Sequence, residues 1–237
     1  DEISGSMPSC SLASAEAQLR QGALQEASSC LSSLPTSAQA LYLQGGVLTL
    51  AGNAAEAVPL FRRATALVPN HADAQFELGN ALLGLREYSS AETAYSAALK
   101  AEPTRAVCYL NLGNLYVDVG HTAKAEKNFR KAIALGPTTW DGCAAANGLS
   151  NLLEAAGRAD EAEAVSKGAL PNAASLKRGA TTDCPYAAHN LGRLVRRRGE
   201  HTEAIALARR ALRVAPTQRE FVTGLGAALH AAGQLDE

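Results

Sequence analysis

Six asparagines, Asn80, Asn111, Asn114, Asn147, Asn151 and Asn190, fall in segments that otherwise read as helix, and they are six of the ten in the chain. Asparagine is less favourable there than alanine by about half a kcal/mol, because its amide competes for backbone hydrogen bonds. The same amide offers a donor and an acceptor together. It can therefore pair with the N–H and C=O of an extended peptide whatever that peptide's side chains. A second cluster follows in "AAHNLGRLVRRR", with His189, Arg193, Arg196 and Arg197. Arg193 and Arg197 share a helix face by their i, i+4 spacing, four residues after His189. Facing a groove, these guanidinium groups would suit a carboxylate, a phosphate or an acidic side chain. The competing reading is a solvated face, with Arg198 and Arg209 to Arg213 on the outside.

Covalent chemistry has no comparable support. There is no G-x-S-x-G, no H-E-x-x-H and no Walker loop, and His71, His121 and His201 fall at expected inter-helix turns. No enzyme activity, cofactor or metal is expected. A formal net charge of −1 gives no global field toward nucleic acid or an acidic membrane. Nucleic acid is further disfavoured because Tyr186 is the only aromatic near the arginines. No apolar run is long enough to span a membrane. Cys10, Cys30, Cys108, Cys143 and Cys184 form no C-x-x-C pair and no zinc-like spacing, so reduced thiols in an intracellular compartment, cytoplasmic or nuclear, are expected.

The elements that position these residues are repeats. Gly45, Gly79 and Gly113 recur at equal spacing, and the surrounding pattern moves with them. Twelve residues after each glycine stands Ala57, Ala91 or Ala125; four further, Phe61, Tyr95 or Phe129; three further, Ala64, Ala98 or Ala132. Pro69, Pro103 and Pro137 close the units, and the frame returns at Gly192, Ala204, Ala208, Ala211 and Pro216. With 47% hydrophobic but only 5% aromatic residues, close-packed helices are favoured over sheets.

On these residues the chain resembles the tetratricopeptide repeat family, whose 34-residue helix–turn–helix unit carries L-G-x-x-Y, A-x-x-x-F and a final proline. The expected fold is all-α, a right-handed superhelical solenoid of helix–turn–helix repeats, stabilised mainly between neighbours. Residues 1–6 read as an expression scar and 7–37 as a degenerate capping hairpin. Repeats follow at 38–71, 72–105 and 106–139. A divergent repeat at 140–176 carries a three-residue insertion around Trp140 and Ser150 in place of the glycine. A linker at 177–184, in the segment expected to be most flexible, precedes a repeat at 185–218. Residues 219–237 make only the first helix of another, which predicts that the natural chain continues.

In this family the first helices line a concave groove. The asparagines there resemble those in the repeats of protein O-GlcNAc transferases, which grip ligand backbone; the likeness is best in "YLNLGNLY" and weakens at Glu77 and Gly148. It implies an interaction module for an extended peptide or protein, possible also as the recruiting region of a glycosyltransferase. Three amide bonds at about 1 kcal/mol each fall short of even millimolar affinity, about 4 kcal/mol, so apolar contacts must add to them. Tyr42, Phe76 and Leu110, each three residues before the glycine, supply that stripe. The two-carboxylate clamp of co-chaperones fails here, because Tyr42 or Phe76 occupies its lysine position. The expected peptide-binding set is thus Tyr42, Phe76, Asn80, Leu110, Asn111, Asn114, Asn151, His189, Asn190, Arg193, Arg196 and Arg197. The alternative is a structural scaffold whose groove is filled by its own continuation or by a partner subunit.

Overall fold

A computed structural model describes residues 10–170 and 183–234. Among these residues there are thirteen helices and no strand. They are α1 (Leu12–Arg20), α2 (Leu24–Ser33), α3 (Ala38–Leu50), α4 (Ala54–Leu67), α5 (Ala72–Gly84), α6 (Tyr88–Ala101), α7 (Ala106–Asp118), α8 (Thr122–Leu135), α9 (Trp140–Ala155), α10 (Ala159–Ala169), α11 (Pro185–Arg197), α12 (His201–Val214) and α13 (Arg219–Ala231). The chain divides after Thr104 into two compact units. The first holds the hairpins α1/α2, α3/α4 and α5/α6; the second holds α7/α8, α9/α10, α11/α12 and α13. This is an all-α solenoid of helix–turn–helix repeats. The expectations placed on residues 1–6 and on most of the 177–184 linker lie outside the described residues.

Local chemistry explains the hairpins. Pro69, Pro103 and Pro137 each stand two residues beyond the second helices that end at Leu67, Ala101 and Leu135, where a missing N–H can no longer extend the helix. Ser37 and Thr139 cap α3 and α9 by accepting the backbone N–H of Ala40 and Gly142. The turn inside a hairpin requires one residue in the left-handed region; Gly120 supplies it at φ 77°, whereas Arg86 adopts φ 61° at the same repeat position. The insertion around Trp140 lengthens a helix instead of a loop. α9 has 16 residues against 13 in α7, starting ten residues before Ser150 where α7 starts seven before Gly113.

Packing centres on one slot per hairpin. Phe61, Tyr95 and Phe129 are fully buried, packed respectively against Gly45, Gly79 and Gly113. A Cβ built on Gly45, Gly79 or Gly113 would come within 2.5, 2.6 and 2.5 Å of the facing ring. Phe129 also touches the next hairpin, since a Cβ on Gly148 would lie 2.7 Å from its Cζ. In α9/α10 both letters change together: Ser150 replaces the glycine, Ser166 the aromatic, and their buried hydroxyls meet at 3.1 Å. Fully buried, this pair satisfies itself.

The expectation of reduced thiols is overturned. Cys10 is bonded to Cys30 and Cys143 to Cys184, which leaves Cys108 as a buried thiol outside either bridge. No zinc-like spacing was involved; the repeats simply fold distant cysteines onto one another, with Cα atoms 5.3 and 5.6 Å apart.

Candidate functional site

In the second unit, α7, α9 and α11 are first helices, with α9 packed against both others. Their polar residues form a seam. Asn190 is buried at 1% exposure and donates its Nδ2 to Asn147 Oδ1 at 2.9 Å. Asn151 Nδ2 points to the same oxygen at 3.5 Å, and Asn151 Oδ1 accepts from Arg193 at 3.4 Å. Arg193 also pairs with Glu154 Oε1, and Arg197 with Glu154 Oε2 at 3.2 Å. Asn190 is therefore interior and engaged with a neighbouring first helix rather than facing a groove. Asn114 and Asn151 are exposed, Asn111 is half-buried, and Leu110 is buried in the core.

In the first unit Asn80 is also engaged. Its Oδ1 accepts the phenol of Tyr95 at 2.8 Å and its Nδ2 donates to Glu77 at 3.2 Å. Tyr42 and Phe76 are half-buried; Tyr42 packs 5.2 Å from the ring of His71, and Phe76 6.1 Å from Tyr95. His71 itself caps α5, its Nδ1 accepting from Ala74 N–H, which leaves Nε2–H to donate to Gln39 Oε1 at 3.1 Å. That fixes its tautomer in a structural role.

The arginines divide by face. Arg193 and Arg197 meet Glu154, whereas His189, Gly192, Arg193 and Arg196 form a stripe at helical spacing along a cavity of about 390 Å³. Glu220, Thr223 and Gly224 of α13 close its far side. Sequence reasoning placed the arginines but missed Glu154 and Glu220, whose partners depend on how helices from different hairpins align. Among the described residues no group of three His, Cys, Asp or Glu side chains could hold a metal ion.

His189 is buried, 3.5 Å from Glu220 Oε1 and 5.4 Å from the ring of Phe221. Burial is the largest influence and holds its pKa below the ordinary 6.5; Glu220 and Glu154 oppose this and Arg193 assists. The folded protein thus resists a proton that the unfolded chain accepts. Stability is full above pH 6.5 and falls as pH drops through that value. Glu126, Glu161 and Glu163, held below their ordinary 4.5 chiefly by hydrogen bonds from Arg158 and Lys167, lose their contributions at lower pH. Urea midpoints measured between pH 7 and 5 are expected to decline for the wild type and to flatten in His189→Gln. An equal slope in both proteins would refute the assignment.

Three family models described as tetratricopeptide repeat match residues 48–109, 106–139 and 142–217. No curated protein matches the sequence significantly. Among solved structures, pilF of Pseudomonas aeruginosa is 18% identical, with 90% of this chain and 93% of that chain covered at a TM-score of 0.70. MamA of Desulfovibrio magneticus RS-1 is 24% identical over 71% of this chain and 93% of that one, with a TM-score of 0.60. Cut9 in the APC/C hetero-tetramer with Hcn1 is 18% identical over 94% and 44% respectively, with a TM-score of 0.64. At these identities the likeness concerns the fold. The equally spaced repeat letters, the ring-and-glycine slots and the three matching models lead to one assignment: the chain belongs to the tetratricopeptide repeat family.

Proposed function

We propose that this protein-interaction module binds an extended peptide along α7, α9 and α11. The carrying observation is that Asn114 and Asn151 occupy the same repeat position on adjacent first helices and are both exposed, while Asn147 and Arg193 orient Asn151 from beneath. With packed helices about 8–10 Å apart and extended peptide advancing about 3.3 Å per residue, the two amides meet every third peptide residue. Asn190 and Asn80 serve as internal supports in this reading, and Leu110 belongs to the core. Tyr42 and Phe76 offer a partly exposed apolar stripe in the first unit. A groove of this type could recruit substrates for a larger enzyme, but no catalytic role is proposed for the chain.

The test is binding to an array of unrelated peptides by wild type and Asn114→Ala/Asn151→Ala. Both side chains are exposed, so helicity should be unchanged. A fall in affinity across all sequences together supports backbone recognition; unchanged binding removes it. If no peptide binds, a scaffold filled by its own continuation or by a partner subunit becomes the better account.

The compartment also needs revision. Two disulfides persist in an oxidising environment, so we place the protein in one, in contrast to the cytoplasm or nucleus. No helix among the described residues is long and apolar enough to cross a membrane. Non-reducing peptide mapping of protein from its native source checks this: fully reduced cysteines there would overturn it.

A further inference from the structure

The slot that holds Phe61, Tyr95 or Phe129 in three hairpins is emptied in α11/α12. Gly192 is retained, but Ala208 stands at the repeat position that the ring would occupy. The helices close part of the gap, since a Cβ on Gly192 would lie 3.3 Å from Leu207 Cβ and 3.4 Å from the Ala204 carbonyl. What remains opens into the cavity described above, with Gly192, Ala204, Ala208 and Ala228 among its walls. The contrast with α9/α10 is informative: there the missing ring is replaced by two mutually bonded hydroxyls, whereas here Gly192 and Ala208 bring no side-chain polar group of their own.

The rim is charged. Arg193 and Arg197 share the single carboxylate of Glu154, and Arg196 has no ion-pair partner among the described residues. Glu220 is the one acidic residue lining the cavity. Three guanidinium groups against two carboxylates leave a unit of positive charge. The Nε of Arg193 is moreover buried with no hydrogen-bond partner, so Glu154 and Asn151 do not use the full donor capacity of this guanidinium. Thr223 and Glu220, on the α13 wall, are exposed, so the cavity is reachable from solvent.

We propose that this cavity anchors a partner peptide, receiving one aromatic side chain in the slot vacated at Ala208 and pairing an adjacent carboxylate with Arg193 and Arg196. The inference rests on the peptide-binding reading and names what that peptide must carry. Small apolar walls at the repeat position of the missing ring select the aromatic group. The surplus positive charge and the planar guanidinium groups select the carboxylate. A volume of about 390 Å³ is at the low end of ligand pockets, enough for a side chain and its neighbour but not for a folded element.

The experiment measures dissociation constants by fluorescence anisotropy for four synthetic octapeptides of Gly and Ser. They contain Asp-Phe, Phe alone, Asp alone, or neither. The Asp-Phe peptide is expected to bind wild type at least tenfold more tightly than the other three. Ala208→Phe, which restores the ring of the other hairpins, should abolish that preference. Arg196→Ala, at a residue without an ion-pair partner, should remove only the contribution of Asp and guards against misfolding of the first variant. Equal binding of the four peptides, or an Asp-Phe preference that survives both substitutions, overturns the anchor. The backbone-groove reading then stands if Asn114→Ala/Asn151→Ala still weakens all four. No binding by any of them overturns both.

Discussion

Breaking the Cys143–Cys184 bond is expected to lower the unfolding free energy by about 4 kcal/mol. The bridge spans 41 residues of sequence, and the loop-entropy relation for that length gives this value; the 20-residue Cys10–Cys30 span gives about 3 kcal/mol. Loss of packing adds little in the first case. Both sulfurs are buried among Ala146, Ala169 and Ala187, an apolar setting that accepts two thiols or two alanines. The position of the bond carries the consequence further. Cys184 is the N-cap residue of α11 and Cys143 lies in the first turn of α9, so the bridge fixes the start of one first helix to its neighbour. Asn190 to Asn147 and Arg193 to Glu154 join the same two helices. Urea unfolding of wild type, Cys143→Ala/Cys184→Ala and Cys10→Ala/Cys30→Ala gives the three free energies. The first variant should also lose order in the amide seam, visible as faster hydrogen exchange in α11. A shift below about 0.5 kcal/mol in both variants would show that the bridges contribute no tether.

Much of the fold was legible because the repeat letters are local volume constraints. Gly45, Gly79 and Gly113 each face a ring of the same hairpin, and each proline acts on its own helix end. Neither depends on how hairpins stack. Hydrogen-bond partners do depend on it. Asn190 and Asn147 are 43 residues apart, and only the offset between α9 and α11 brings them together, so an amide expected to face ligand became a support. Asn80 was diverted by a single hydroxyl: Tyr95 reaches it, whereas Phe61 and Phe129 at the same repeat position have no such group. The cysteines failed for the same reason as the asparagines. A search for short motifs cannot find a bridge whose ends meet only through helix packing, within a hairpin for Cys10–Cys30 and between hairpins for Cys143–Cys184. Ala208 was visible in the repeat frame from the start, but its consequence required knowing that α11 and α12 do not close the whole gap.

Phe129 provides the most direct test of the slot itself. Its ring is fully buried between Gly113 of its own hairpin and Gly148 of the next, so Phe129→Ala removes contacts on both sides and should cost about 3–5 kcal/mol. Gly113→Ala alone adds a Cβ 2.5 Å from Cδ1 and Cε1 of that ring. The ring cannot retreat toward Gly148, where space is equally short, so overpacking of about 1–3 kcal/mol is expected. Helix propensity acts oppositely, favouring alanine over glycine in α7 by about 0.8–1.0 kcal/mol. In the wild-type background the clash exceeds this gain and Gly113→Ala destabilises. In a Phe129→Ala background the ring is gone, only the propensity difference remains, and the same substitution should stabilise. A double-mutant cycle by urea unfolding reads this reversal as a coupling of at least about 1 kcal/mol, within the range for residues in contact. Simple additivity would mean that the glycine is not required by the ring, and the common explanation of Gly45, Gly79 and Gly113 would fail with it.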